Sequence, residues 1–309
     1  MSRDDDKGTD KKIGLIVGRD HDWSDAFINR VNKVENGVAA ELVKLSGTIM
    51  DEACPYNVIV DRVSHEIPYY RACLHHAALN GSYIINNPFA WSADSKFFGI
   101  GLVNQLGFTS PRTIVLPNKH VEKEMTADSF RNLVYPMDWQ GIIDYVGVPA
   151  IFKNISSGGR DAVYRVASVD DLIQSYDESG TMTMLLQQII ESDTHIHCFV
   201  FGHETVLPLR YLVADNRYFV DILPSDDALG RQLTHQALTL TRAYGYDVNM
   251  VEFVVADDQL YVINATNPAP EMMVGLMTAE QFDFCIDEVA RVAISRVKRP
   301  LPQRSIFTG

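Results

Sequence analysis

Asn249–Glu271, NMVEFVVADDQLYVINATNPAPE, is the stretch from which the fold is read. NMVEFVV is rich in β-branched residues, Asp257-Asp258-Gln259 supplies a polar turn, and LYVIN alternates back, which predicts an antiparallel hairpin. The second strand runs into Ala265-Thr266-Asn267-Pro268-Ala269-Pro270, where two prolines remove the N–H groups that a ladder needs. Glu252 lies in the first strand, and Asn264 and Asn267 at the end of the second, so an antiparallel return brings three oxygen-bearing side chains to one edge. Hard cations such as Mg²⁺ take oxygen ligands and share them with substrate phosphates. Read alone, the same stretch also fits a surface hairpin with a proline-capped loop. The rest of the chain decides between the two.

A chain of 309 residues has room for two domains, or three small ones, each with its own core. Hydrophobic residues make up 46% and charged residues 22%, an ordinary balance for a soluble globular protein. The net charge of −13 argues against a general nucleic-acid binder, whose affinity rests on Lys and Arg against phosphates. It leaves open a nucleotide pocket, which needs only a few local cations. Cys54, Cys73, Cys198 and Cys285 are scattered without a CxxC spacing, which predicts reduced, packed thiols in the cytoplasm and not a disulfide framework. MSRDDDKGTDKK lacks the apolar core of a secretory signal, and no apolar run is long enough to span a bilayer, so no membrane partner is expected.

Residues 1–11 are charged and without an aromatic, Val, Ile or Leu residue, and are expected to be a disordered lead. Over 12–90, short apolar runs (Ile13–Val17, Val38–Leu45, Tyr56–Val63, Ser82–Asn87) alternate with helical patterns, including Pro68–Leu79 with its early proline and its Asn80-Gly81 stop. This predicts a small parallel α/β domain. Residues 91–190 are expected to hold a linker helix over Ser92–Leu106, capped by Ser92, and a second α+β subdomain. Its strands fall at Pro111–Leu116, Pro149–Asn154, Tyr164–Val166 and Met184–Glu191, with a helix opened by Ser168. Residues 191–309 form a third part: short strands at Ile196–Phe201, Val206–Tyr211 and Arg217–Ile222, a helix over Leu229–Tyr244, the opening hairpin, and a last helix over Thr278–Val297.

Several side chains carry possible chemistry. Lys153 ends a strand and is followed by Ser156-Ser157-Gly158-Gly159, a run of flexible backbone that can wrap phosphate oxygens or form a plain hairpin tip. Lys96 sits beside Phe97 and Phe98 and reads equally as a surface lysine with its stem on apolar neighbours. Gln187 and Gln188 interrupt the apolar strand MLLQQIIE; either the two glutamines simply pair with the backbone, or the backbone beyond them meets an adenine edge, with Glu191 accepting from ribose hydroxyls. His195 and His197 share one strand face, and the pattern favours a partly exposed face over a metal site. Arg210 closes an apolar strand and suits a fixed donor to phosphate or carboxylate.

The order of these pieces — Lys96, Lys153 with its Ser/Gly loop, QQIIE, Arg210, Glu252, then Asn264 and Asn267 before proline — resembles the ATP-grasp superfamily. Within it the chain is most similar to the carboxylate–amine ligases related to ribosomal-protein glutamate ligase and D-alanine–D-alanine ligase. The resemblance implies an N-terminal α/β domain followed by two α+β subdomains enclosing ATP. It implies a ligase that phosphorylates a small-molecule acid to an acylphosphate, which an amine then attacks, releasing ADP. By the same resemblance Lys96 and Lys153 contact ATP phosphates, and Ser156, Ser157, Gly158 and Gly159 form the closing loop. Gln188, Ile189 and Ile190 meet adenine, Glu191 the ribose, and Arg210 and Lys153 serve catalysis. Glu252, Asn264 and Asn267 stand at the Mg²⁺ (or Mn²⁺) positions, and a homodimer is the usual assembly. One departure stands out: the family pattern is Glu-x-Asn before the proline turn, whereas Asn264-Ala265-Thr266-Asn267 lacks the second carboxylate. That departure keeps two alternatives in view, a nucleotide-binding protein without turnover and a small-molecule kinase on the same fold.

Overall fold

The computed structural model describes residues 11–34, 37–93, 95–121, 131–156 and 163–301. They gather into two compact units: Met1–Ala93 with Ile196–Val251 and Thr266–Gly309, and Asp94–His195 with Glu252–Ala265.

The first unit opens with strand β1 (Lys11–Ile16), helix α1 (His21–Lys33), β2 (Val38–Leu42), β3 (Val58–Asp61), α2 (Pro68–Leu79), β4 (Tyr83–Ile85) and α3 (Pro88–Ala93). The four strands form a sheet in the order β2-β1-β3-β4, and the β1–β2, β1–β3 and β3–β4 pairings are parallel. A parallel sheet must be covered on both faces, and period-two alternation sorts its residues accordingly. Ile13, Leu15, Val58, Val60 and Ile85 join one core with Trp23, Phe27 and Val31 of α1. Ile16, Ile59 and Ile84 face the other way, onto Leu74 and Ala77 of α2. β2, β3 and β4 are shorter than their apolar runs, whose ends lie in the connections, whereas β1 starts at Lys11, a residue expected in the disordered lead, because its backbone pairs with Val38.

The second unit begins with α4 (Lys96–Gln105), continues through β5 (Thr113–Leu116), α5 (Trp139–Val146), β6 (Ala150–Asn154), β7 (Val163–Val166), α6 (Val169–Glu178) and β8 (Met184–Gln188). The expected single helix over Ser92–Leu106 is two helices, and the cap is Ser95, whose side chain accepts from Phe98 N at 3.2 Å. The sheet order is β5-β8-β6-β7, with antiparallel pairings. Phe152, Leu186, Met184 and Val166 pack under Ile143 and Val146 of α5 and Leu172 and Tyr176 of α6. The predicted cap of α6 is present, Ser168 Oγ accepting from Asp171 N at 3.1 Å.

The chain then runs through β9 (Thr194–Phe201), β10 (Thr205–Leu212), β11 (Arg217–Ile222), α7 (Ala228–Tyr244) and β12 (Val248–Ala256). Within the first unit these strands lie in the order β11-β10-β9-β12. Beyond Val251, β12 continues in the second unit, where it pairs antiparallel with β13 (Gln259–Asn264). Helix α8 (Ala279–Lys298) closes the described chain back in the first unit. Its Ile286, Val289 and Ala293 enter the same core as α1 and the parallel sheet. The four cysteines are free thiols, three of them buried. Among the described residues no helix is long and apolar enough to cross a membrane.

Candidate functional site

The predicted hairpin forms, and its register is the one that matters: Glu252 of β12 lies opposite Asn264 of β13. The turn is made by Asp257 and Asp258, both at positive φ (49° and 60°), the geometry that matches the twist of paired strands. Asn264 Nδ2 donates to Glu252 Oε1 at 3.0 Å. Thr109, in the link after α4, docks on β13 by accepting from Val262 N at 2.9 Å, and α4 packs against the same strand.

The two lysines belong to this unit as well. Lys96, the first residue of α4, donates through its Nζ to Asn154 O at 3.3 Å, and its own N–H reaches Ile155 O at 3.1 Å. Lys153, one residue before Asn154 on β6, donates to Gln187 Oε1 at 2.9 Å. Burial pushes the Lys153 ammonium down to about 8; the Glu252 carboxylate opposes that shift and the neighbouring Lys96 charge adds to it. Lys96 is lowered too, chiefly by burial and against the pull of Glu252. Two under-solvated ammonium groups sharing one carboxylate make a site short of negative charge, which a polyanion relieves.

Glu252 and Asn264 are oxygen donors of the kind that Mg²⁺ takes. The amide nitrogen faces the carboxylate, which leaves Glu252 Oε2 and the Asn264 carbonyl oxygen as the ligands a cation would find. Among the described residues no group of three or more His, Cys, Asp or Glu side chains is placed to hold a metal. A cation here therefore depends on amide oxygens and on anions brought by a ligand.

The expected strand Met184–Glu191 stops at Gln188. Gln188 N donates to Arg112 O at 2.9 Å, and Ile189 N to Pro149 O at 3.1 Å, so the chain leaves the ladder at Ile189. The Gln188 side chain is taken by Arg112, whose N and Nε both reach its Oε1 at 3.4 Å. Ile190 is the residue after these two committed amides, and Glu191 is exposed, 3.9 Å from Arg165. Ser156 N donates to Asn154 Oδ1 at 2.9 Å. Ser157, Gly158 and Gly159 lie outside the described residues.

Arg210 and Asn267 belong to the other unit. Arg210 is exposed on β10, at the register shift between Leu209 and Tyr211 against β11, with its guanidinium over Phe219 at 5.4 Å. A bulge of this kind re-aims one side chain out of the pleat. Asn267 turns its Oδ1 toward Ala269 N (3.2 Å), and its own N–H reaches Asn249 Oδ1 at 3.0 Å. The histidine pair departs from expectation: His197 is buried, 2.9 Å from Tyr218 Oη and stacked on Tyr211, because its end of β9 runs into the core. Sequence reading also left Gln187 and Asn249 without roles, although both hold an expected site residue in place.

No protein-family model matches the chain. A D-alanine–D-alanine ligase of Ralstonia nicotianae (strain ATCC BAA-1114 / GMI1000) is 31% identical over 96 residues, covering 27% of this chain and 29% of that ligase. Among solved structures, D-alanine–D-alanine ligase from Bacillus anthracis complexed with ATP matches with a TM-score of 0.66 at 16% identity, over 94% of this chain and 97% of that one. The chain has the ATP-grasp fold. A RimK domain ATP-grasp protein from Sphaerobacter thermophilus DSM 20745 matches likewise, with a TM-score of 0.65 at 16% identity over 92% and 99% of the two chains. The ATP-grasp likeness thus spans nearly the whole chain, while the sequence likeness to the Ralstonia ligase spans less than a third of it.

Proposed function

We propose that this protein is an ATP-dependent carboxylate–amine ligase, releasing ADP, that acts on a small-molecule acid and amine. The observation that carries the reading is the pair of partly buried lysines, Lys96 and Lys153, held with Glu252 and Asn264 in one unit of an ATP-grasp fold. The phosphate-bearing end of ATP would meet those two ammonium groups, and Mg²⁺ would be held by Glu252 and Asn264, with Asn267 as a further candidate ligand. When bound, ATP supplies the phosphoryl group that activates a substrate carboxylate. The chain contributes position and charge. Lys153 and Lys96 neutralise the phosphates without reorganising, and Arg210 is assigned to the transferred group. With the amides of Gln188 and Ile189 already committed, the backbone contact to an adenine edge falls to Ile190.

Calorimetry with ATP and Mg²⁺, followed by coupled ADP release over a panel of amino acids and amines, tests this. Binding in the micromolar-to-millimolar range and acid-dependent ADP release are expected, the binding weakened and the ADP release lost in Lys153→Ala. No binding at millimolar nucleotide would end the reading.

One observation favours a second reading. The residue opposite Glu252 on the hairpin is an amide, Asn264, and not a second carboxylate. A nucleotide-binding protein without turnover fits that chemistry, and tight ATP binding with no ADP release for any acid would select it.

A further inference from the structure

We propose that Gln187 is a positioning residue that holds the Lys153 ammonium in the place where it meets the nucleotide phosphates; this rests on the nucleotide-site reading above. Gln187 lies inside β8, with β5 on one side (Thr113 opposite it) and β6 on the other (Ile151 opposite it). It is 5% exposed. A polar side chain at such a position is costly unless both ends of its amide are bonded.

Both ends are bonded, and the bonds point one way. Gln187 Oε1 accepts from Lys153 Nζ at 2.9 Å, and Gln187 Nε2 donates to Thr113 Oγ1 at 3.2 Å. An amide's oxygen and nitrogen are assigned from the network around them. Here the network decides: the single Thr113 hydroxyl proton goes to Pro111 O at 3.0 Å, so Thr113 receives, and the Gln187 amino group must face it. The carbonyl oxygen is left facing Lys153. Lys153 ammonium, Gln187 amide, Thr113 hydroxyl and Pro111 carbonyl form a directed chain in which each group donates to the next, from β6 across β8 to β5 and the residue pair before it.

Strand geometry explains why Gln187 reaches Lys153. Lys153 lies opposite Leu185, and Gln187 is the next residue on the same face of β8, a diagonal neighbour within reach of two long side chains. The alternate residues Met184 and Leu186 point into the core of the unit. Gln187 is thus the polar member of the face that carries Lys153. Lys96 from α4 and Glu252 from β12 act on the Lys153 charge through space, whereas the Gln187 acceptor is directional and selects one placement of a side chain with four rotatable bonds.

The test is a double-mutant cycle between Gln187 and Lys153, read as the ratio of ATP to adenosine affinity by calorimetry in the full-length protein. Gln187→Met, close in volume, is expected to weaken ATP about tenfold while adenosine stays within about twofold, the loss of a hydrogen bond to a charged group. In a Lys153→Ala background the same substitution should leave the ratio unchanged. Thr113→Val removes the receiver that orients the amide and should weaken ATP by about threefold, which gives a second, gentler variant should Gln187→Met fail to fold. An unchanged ratio in either folded variant, or a full tenfold loss persisting without Lys153, overturns the assignment. Absence of ATP binding by the wild-type protein would overturn the nucleotide-site reading and this role together, whereas wild-type binding with insensitive variants would overturn this role alone.

Discussion

Lys153 is charged at the expense of the fold. Its ammonium is lowered to about 8 by burial, so between pH 8 and the ordinary lysine value near 10.4 the unfolded chain binds more protons than the folded one. Stability therefore rises with pH across that window, and below pH 8 the whole cost of burying the charge is present. Lys153→Met is expected to narrow its stability difference from the wild type in that sense: whatever advantage the methionine has at pH 7 shrinks by roughly 1–3 kcal/mol by pH 10. Urea denaturation at the two pH values measures it. Phosphates beside Lys153 should restore its proton, so ATP binding near pH 8.5 takes up protons, visible as a buffer-dependent enthalpy. Glu252 is the other residue on which the proposed site depends. Glu252→Gln should abolish Mg²⁺-dependent nucleotide binding, and Asn264→Glu should tighten Mn²⁺ binding several-fold if the missing carboxylate limits the site; paramagnetic titration of Mn²⁺ reads both. The lysines were singled out in sequence only by their place in the order of pieces, since each alone reads as well as a surface lysine or a residue before a hairpin tip. Gln187 was not, because alternation puts Gln187 and Gln188 on opposite faces without saying which face is dry. The structure answers it, with Gln187 buried and Gln188 beside Arg112.

At the scale of elements, the hairpin of β12 and β13 was readable from alternation and its two-aspartate turn, but not its full register, because a shift between Glu252 and Phe253 is what brings Glu252 opposite Asn264. Ends were less readable. Ser92 and Ser95 are equally good caps on paper, and only the break between α3 and α4 selects Ser95. Edge protection was not readable at all. Gln281, 1% exposed, completes the capping box of α8 with Thr278 and also donates to Phe219 O at 2.7 Å and Val220 O at 3.1 Å on β11. A single amide thus caps a helix and occupies carbonyls of an edge strand whose Val220 and Ile222 are otherwise exposed. Gln281→Ala is expected to cost about 2–3 kcal/mol, against about 1 kcal/mol for Thr278→Ala, which removes the cap alone. Equal losses in chemical denaturation would show that the contacts to β11 contribute nothing.

The whole molecule distributes its first unit over three stretches of chain, and that is where sequence order misleads most. Strand–helix alternation over 12–90 reads as a self-contained α/β domain, yet the four strands have only α1 and α2 nearby to cover two faces. The cover is completed by α8, whose Ile286, Val289 and Ala293 share a core with Trp23, Phe27 and the inward residues of β1, β3 and β4. Polar bonds fasten the same junction. Asn86 accepts from Asp247 N and Val248 N and donates to Val248 O and Pro268 O, between 2.7 and 3.0 Å, which satisfies the full capacity of its amide. Tyr83 Oη and Arg296 Nε meet the two oxygens of Asp247, at 2.5 and 2.9 Å, and Arg62 donates to Asp20 and to Pro270 O, each at 2.9 Å. A fragment ending at residue 93 would expose the α8-facing side of its sheet and leave Tyr83 and Asn86 without these partners. It is expected to lack a cooperative thermal transition and to bind a hydrophobic dye, while Asn86→Ala in the intact chain should lose about 3 kcal/mol, since the four backbone groups now bonded to its amide lose their partner. A sharp, dye-free melt of the fragment would mean that the first four strands form a core of their own, with α8 only resting on it.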